Sequence, residues 1–515
     1  MHRRLSTLLL AGVLTAILVV PTLATAQDAR PAVKARLQYA RAGGIYDPAQ
    51  WRYTSDWFVY PSVFNWLVRW KPGPAPKELE PDLAERWTVS NDGLVYTFSL
   101  RRGVQFHKGM GELTAEDVVF SFERQMKDPK KSFYEVLGNV RSVEAIDRYT
   151  VRITLKERDG SFMWAIVSYR PGIIVSKRAV QQMGDAAFAK VPVGTGPFEF
   201  MQLTPQSEVI LQANDAYFRG RPAIRQITFA HIGDENTAGA ALQRGDVQVI
   251  WTRGNPEVVK TLRAASNIKT VRVIEYDNLF QVQFSPNFKP VQDVRVRRAL
   301  AYAIDRRVIA QALPGLDEMA MVMRPPQLFG GTTDVPTYAF DLNRARGLFR
   351  EAGYPNGFPI TLMIQKREPE TTVAEILAAQ WQAAGLNVKL DVLDATAAFD
   401  RRRDGNFDVT ISATARPGDP NLFFWDVFHS EAVPPYGSNF FRYLDADGLI
   451  DAGRITIDEK RREQIYVALQ KKLMTDLPII PLFYRHYELA YRTPIASMMP
   501  GAANMFWAET IRTGR

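Results

Sequence analysis

Five histidines, His2, His107, His231, His429 and His486, are the main nitrogen donors that a metal could take from this chain, and there is no cysteine to join them. They are widely separated, so no built-in zinc site is expected. Gly194-Thr195-Gly196 has the look of a phosphate loop, but Pro197 and a strand-like run follow it where a helix N-terminus is needed. Neither His-Glu-x-x-His nor Gly-x-Ser-x-Gly occurs. Acid pairs such as Asp445/Asp447 are what 55 acidic residues produce by chance, and they read as solvated surface rather than a glycosidase pair. The expectation is a protein that is not an enzyme and that uses no metal or cofactor.

The elements around these residues are those of α/β domains. Thr114 and Asp117 form a capping box ahead of Val118, Phe122 and Met126, spaced by four on one helix face. Asp293 is placed to cap one helix over Val294–Leu313, with Val296, Leu300, Ile304 and Val308 as its stripe. A helix from Thr372 to Gly385 leads into a strand at Asn387–Leu393, and a helix at Asp458–Met474 into a strand at Ile479–Tyr484. Leu94–Leu100 and Tyr149–Leu155 have period-two character, and Asn91-Asp92-Gly93 suits a hairpin turn. Repeated helix, glycine, strand units build sheets covered by helices, with ligands at the open strand ends.

The N-terminus carries Arg3 and Arg4, the apolar run Leu5–Val20 and then Ala24-Thr25-Ala26. This is the pattern of a secretory signal peptide over residues 1–26, cleaved after Ala26. With no cysteine there is neither a disulfide nor a lipid-modified thiol, so the expected home is the periplasm, without an anchor. The net charge of +9 is spread over 515 residues, and the basic runs lack aromatic interleaving, so nucleic acid is not an expected partner.

One ordered set of motifs resembles a known family. Leu79-Glu80-Pro81-Asp82-Leu83-Ala84-Glu85-Arg86-Trp87 runs into Ser90-Asn91-Asp92-Gly93, then Leu100-Arg101-Arg102-Gly103-Val104-Gln105-Phe106-His107, then Thr114-Ala115-Glu116-Asp117. Gly194-Thr195-Gly196-Pro197-Phe198, Ala303-Ile304-Asp305-Arg306, Glu351-Ala352-Gly353-Tyr354-Pro355 and Asp476-Leu477-Pro478-Ile479-Ile480-Pro481 follow in order. The chain resembles the family 5 solute-binding proteins, which include oligopeptide, dipeptide and nickel receptors. The resemblance implies a type II periplasmic binding protein-like fold: two α/β lobes with a hinge and an extra subdomain in lobe I. Lobe I would be Gln27–Leu279 plus 488–515, with the subdomain at Ser62–Lys190, and lobe II would be Phe280–Tyr487. The hinge would be Asn278–Phe284 with Tyr487–Tyr491. It also implies a monomer that delivers a small molecule to ABC transporter permease subunits in the inner membrane. His107 is expected to be a hydrogen-bonded structural residue.

The ligand pattern departs from that of peptide receptors. Where those place an aspartate for the ligand's ammonium, the matching position is Arg416, and Arg485 stands where oligopeptide receptors have a pocket tyrosine. Arg367 lies in the region that supplies a carboxylate-binding arginine in dipeptide receptors. Planar guanidinium forks suit carboxylates, which points to an organic anion: a conjugate, a sugar acid or a modified peptide. Asp419, Trp425, Tyr46 and Asn439 complete the candidate set, with Trp51 and Trp57 as further aromatic walls. The open alternatives are local pairing of these arginines with acids, an ordinary di- or oligopeptide receptor, a nickel-chelate receptor and an exported hydrolase.

Overall fold

A computed structural model describes residues 28–37, 45–50, 58–73, 78–134, 136–252, 255–313, 318–416, 418–434, 437–501 and 505–514. The signal-peptide segment, Trp51 and Trp57 lie outside them. A ten-stranded mixed sheet runs through the molecule in the order Phe198–Thr204, Glu208–Ala213, Gln226–His231, Ala32–Leu37, Val249–Thr252, Ile479–Tyr491, Lys269–Phe284, Val409–Ala415, Pro359–Gln365, Asn387–Leu393. Two of these strands are long. Lys269–Phe284 has 16 residues and Ile479–Tyr491 has 13, and they pair antiparallel with each other from Lys269↔Tyr491 to Gln283↔Ile479.

Those two strands hold the halves together, because each enters two different apolar cores. Val273, Tyr487, Leu489 and Tyr491 belong to the first core, with Phe229, Trp251 and Phe506. Leu279, Phe280, Val282, Phe483 and Tyr484 belong to the second, with Trp381, Phe424 and Tyr466, and Ile274 already packs against it. The handover therefore falls at Val273/Ile274 and Tyr484/Tyr487, slightly earlier than the sequence reading sets it. The ladder between the two strands is interrupted at the same place, between Glu275 and Leu279. The strand expected at Ile479–Tyr484 thus continues to Tyr491, and its polar pair Arg485-His486 marks the change of core rather than the end of the strand.

Helix starts follow the local chemistry. Asp117 reaches back to the Thr114 N–H at 3.0 Å, and a four-stranded antiparallel sheet containing Ala84–Val89, Val95–Leu100, Val140–Asp147 and Thr150–Leu155 lies in the same region. The helix expected over Val294–Leu313 is two helices, Val294–Tyr302 and Arg306–Ala312. Asp305 caps the second through the Arg307 N–H, and Gln380 bonds the Asp305 backbone on both sides, which fixes the break. Val308 consequently leaves the apolar stripe and is exposed.

The Gly194-Thr195-Gly196 motif is a close crossing. A Cβ at Gly194 would lie 2.0 Å from the Val63 carbonyl oxygen, and one at Gly196 would lie 2.5 Å from the Val63 carbonyl carbon. The Gly196 carbonyl in turn accepts from His107 Nε2 at 2.9 Å. Burial pulls the His107 imidazole down to about 4, partly opposed by that bond. The unfolded chain therefore takes up this proton near pH 6.5 while the folded chain does not until about pH 4. Stability should fall as pH drops through that window, by up to about 3 kcal/mol from this group. Denaturant midpoints at pH 7 and pH 4.5 should converge between wild type and His107→Gln once the acid slope from His107 is removed; parallel slopes would contradict this.

Candidate functional site

The seam between the two cores is where the strand ends carry chemistry. Val409–Ala415 runs parallel to Pro359–Gln365 and antiparallel to Lys269–Phe284, with Ala415 opposite Asn278. The C-terminal ends of both parallel strands therefore open on the edge where the crossing strands change core. Arg416 follows Ala415, Arg367 follows Gln365, and Arg485 sits on the crossing strand opposite Glu275. Topology thus brings these three expected arginines to one edge.

Their partners differ. Arg416 holds Asp426 at 2.6 Å and bonds its own Ala415 carbonyl; the guanidinium is 38% exposed and the carboxylate 13%. Arg367 pairs with the buried Glu370 at 2.5 Å. Arg485 is half-buried. Deeper in the seam, Asp277 pairs with Arg324 at 2.7 Å, and burial pushes the Asp277 carboxyl up against the opposing pull of that guanidinium. Arg324 also donates to the Gly418 carbonyl at 2.8 Å, so the pair clamps the turn that follows Arg416. Tyr276 donates to Glu318 at 2.7 Å, and burial together with that carboxylate pushes its hydroxyl up to about 12.

Trp70 closes the seam from the first half. It stacks on Tyr169 with ring centroids 4.9 Å apart and 9° between planes. A Cβ at Gly418 would lie 2.9 Å from the Trp70 ring, and Gly418 has φ +89°, so glycine is required there on both counts. Trp70 Nε1, Asn278 Oδ1 and Gln327 Oε1 are buried and have no hydrogen-bond partner among the described residues. Buried polar groups are rarely left unpaired in a finished structure, and Gln281 Oε1 on the same crossing strand as Asn278 is another such atom.

The remaining expected residues take other work. Asp419 is committed: it caps the helix Pro420–Phe428 through the Asn421 N–H and takes a two-pronged ion pair from Arg462 at 2.7 and 2.6 Å. Aspartate before proline is the start signal of a helix, and that signal is present in the sequence. Asn439 is buried and bonds the His429 carbonyl and both backbone groups of Tyr443, so it is a loop brace rather than a ligand contact. Trp425 is half-buried and stacks on His429. Tyr46 is buried against Phe200 in the first core. Phe424 and Phe428 are core, as helical spacing suggests. Asp426, Trp70, Tyr169 and the Asp277–Arg324 pair were not singled out in the sequence, since none carries a motif of its own. Among the described residues no cluster of metal-ligating side chains occurs, and no helix is long and apolar enough to cross a membrane.

Residues 78–434 match the model of the bacterial extracellular solute-binding proteins, family 5. The chain belongs to that family. It is 30% identical to the dipeptide-binding protein of Escherichia coli, over 81% of this chain and 83% of that one. Among solved structures, HbpA2 from Haemophilus parasuis matches with a TM-score of 0.83 and 28% identity, covering 94% of this chain and all of that one. The solute-binding protein MoaA from A. tumefaciens R10, in complex with mannopinic acid, matches with a TM-score of 0.76 and 27% identity over 95% of this chain and 100% of that one. As a family 5 solute-binding protein of the ABC importers, this chain has a type II binding-protein fold, and its relatives are binding proteins.

Proposed function

We propose that this family 5 protein is the periplasmic, monomeric receptor that captures a small carboxylate-bearing solute between its halves and passes it unchanged to the permease. The observation that carries the ligand class is the Arg416–Asp426 pair. Its acid is the more buried member and its guanidinium the more exposed. A solute reaching the seam therefore meets N–H donors first. Asn278 Oδ1 and Gln327 Oε1 supply acceptors for hydroxyl or amide groups on the same solute, and Trp70 Nε1 a further donor. The complex of MoaA with mannopinic acid supports an organic acid as a ligand that this fold accommodates.

An ordinary peptide is the second reading, favoured by the likeness to the dipeptide-binding protein of E. coli. A thermal-shift panel separates the two. Mannopinic acid, sugar acids and N-acylated peptides form one arm, and unmodified di- and tripeptides the other. Saturation at about 100 times Kd adds about 2.7 kcal/mol to the folded state. The proposal expects the first arm to raise the melting temperature; shifts confined to unmodified peptides would overturn it.

A further inference from the structure

The two halves also meet at a rim that touches none of the candidate ligand residues except through Arg462. The loop 157–161 leaves the four-stranded sheet of the first half. It seats on the corner between the helices Asp447–Ile455 and Glu459–Asp476 of the second. The Gly160 N–H donates to the Arg454 carbonyl at 2.6 Å. A Cβ at Gly160 would meet the Thr456 carbonyl oxygen at 2.6 Å, Arg462 Nε at 2.8 Å and Arg462 Cδ at 3.2 Å, all across the seam. Gly160 does not have a left-handed φ. Alanine is therefore compatible with its own half and clashes only with the other. Beside it, a Cβ at Gly93 would lie 2.8 Å from Ile457 Cγ1.

We propose that the loop 157–161 is a closure latch, which seats on the Arg454–Arg462 corner and sets the balance between open and closed halves from outside the ligand site. Arg462 is the same side chain that holds Asp419 at the head of the helix after Arg416. The latch thus engages the scaffold of the ligand loop without contacting a solute. A state that exists only when the halves are shut gains population as the contacts that shut them are strengthened. Gly160 is suited to this because the missing Cβ lets backbone approach backbone.

The test uses the absence of native cysteine. Ile457 Cβ is bonded to Cγ1, so a Gly93→Cys and Ile457→Cys pair places its Cβ atoms within about 4.3 Å when the latch is seated, inside disulfide reach. Gly93 has φ +71°, so Gly93→Cys strains its turn, and the reduced double variant is first shown to melt as a single cooperative unit. Its treatment with diamide, with no solute present, should then give a cross-linked species of altered mobility on a non-reducing gel. Adding Gly160→Ala should slow that cross-linking about fivefold or more, the scale of an ordinary coupling between sites. The melting temperature of the reduced triple variant, measured alongside, should match that of the reduced double variant. No cross-link in the Gly160 background, or equal rates in both, would overturn the latch. Because no solute enters this measurement, a wrong ligand class leaves its outcome unchanged, and the two proposals fail separately.

Discussion

Arg416→Asp is expected to lower the affinity for a carboxylate-bearing solute by at least about 100-fold, or about 3 kcal/mol. Two effects add. The charge-assisted donors vanish, and a new carboxylate comes to stand beside Asp426, which has lost its partner. Arg416 is partly exposed but Asp426 is buried, so the ligand-free protein should also lose about 1–3 kcal/mol. The difference between the melt with and without solute therefore reads binding rather than folding. The same substitution puts an acid where the resemblance to peptide receptors implies one. A gain of affinity for unmodified dipeptides in Arg416→Asp would accordingly agree with the account. Undiminished anion binding would place the carboxylate elsewhere.

The second large effect belongs to stability. Arg462→Met should destabilise the second half by about 3–5 kcal/mol, because it leaves the Asp419 carboxylate buried without its cation. The two side chains are 4% and 0% exposed. Burial pulls the guanidinium down, and Asp419 more than reverses this, leaving its proton held more tightly than usual. A fall in melting temperature of about 10 °C follows for a unit of this size. Asp419→Asn combined with Arg462→Met should recover much of the loss, since asparagine still caps the helix and no bare charge remains. Denaturation of the two single variants and the double variant measures this coupling, and additive losses would contradict it.

Much of the fold was legible because its determinants are local. Thr114 with Asp117, Asp293 and Asp458 each start a helix where the sequence places one, and Asn387–Leu393 is the strand expected there. The length of the crossing strands was not. Pro481 lies inside Ile479–Tyr491, where proline argues against a ladder, and the register shift between Phe280 and Gln281 falls where Pro481 is paired. Arg485-His486 then breaks the apolar run, because two half-buried residues at the change of core need no core-like character.

The candidate site divides in the same way. Arg416 and Arg367 were legible as arginines after strand ends. The acid that holds Arg416 was not, since Asp426 reaches it only once the helix Pro420–Phe428 has formed. Trp70 and Tyr169 lie far from Arg416 in sequence; only across the seam does Trp70 pack over Gly418 and Tyr169 feel the charge of Arg416. Asp419 was legible as a helix cap, and its role follows from that signal rather than from its charge. Its negative charge is spent on Arg462, so Asp419 itself is not free to meet an ammonium.

Small-angle scattering on the purified protein, titrated with whichever carboxylate solute gives the largest thermal shift, tests the clamp most directly. A smaller radius of gyration is expected at saturation, with full recovery of the solute, chemically intact, on unfolding. An unchanged radius with bound solute, or a converted solute, would contradict it.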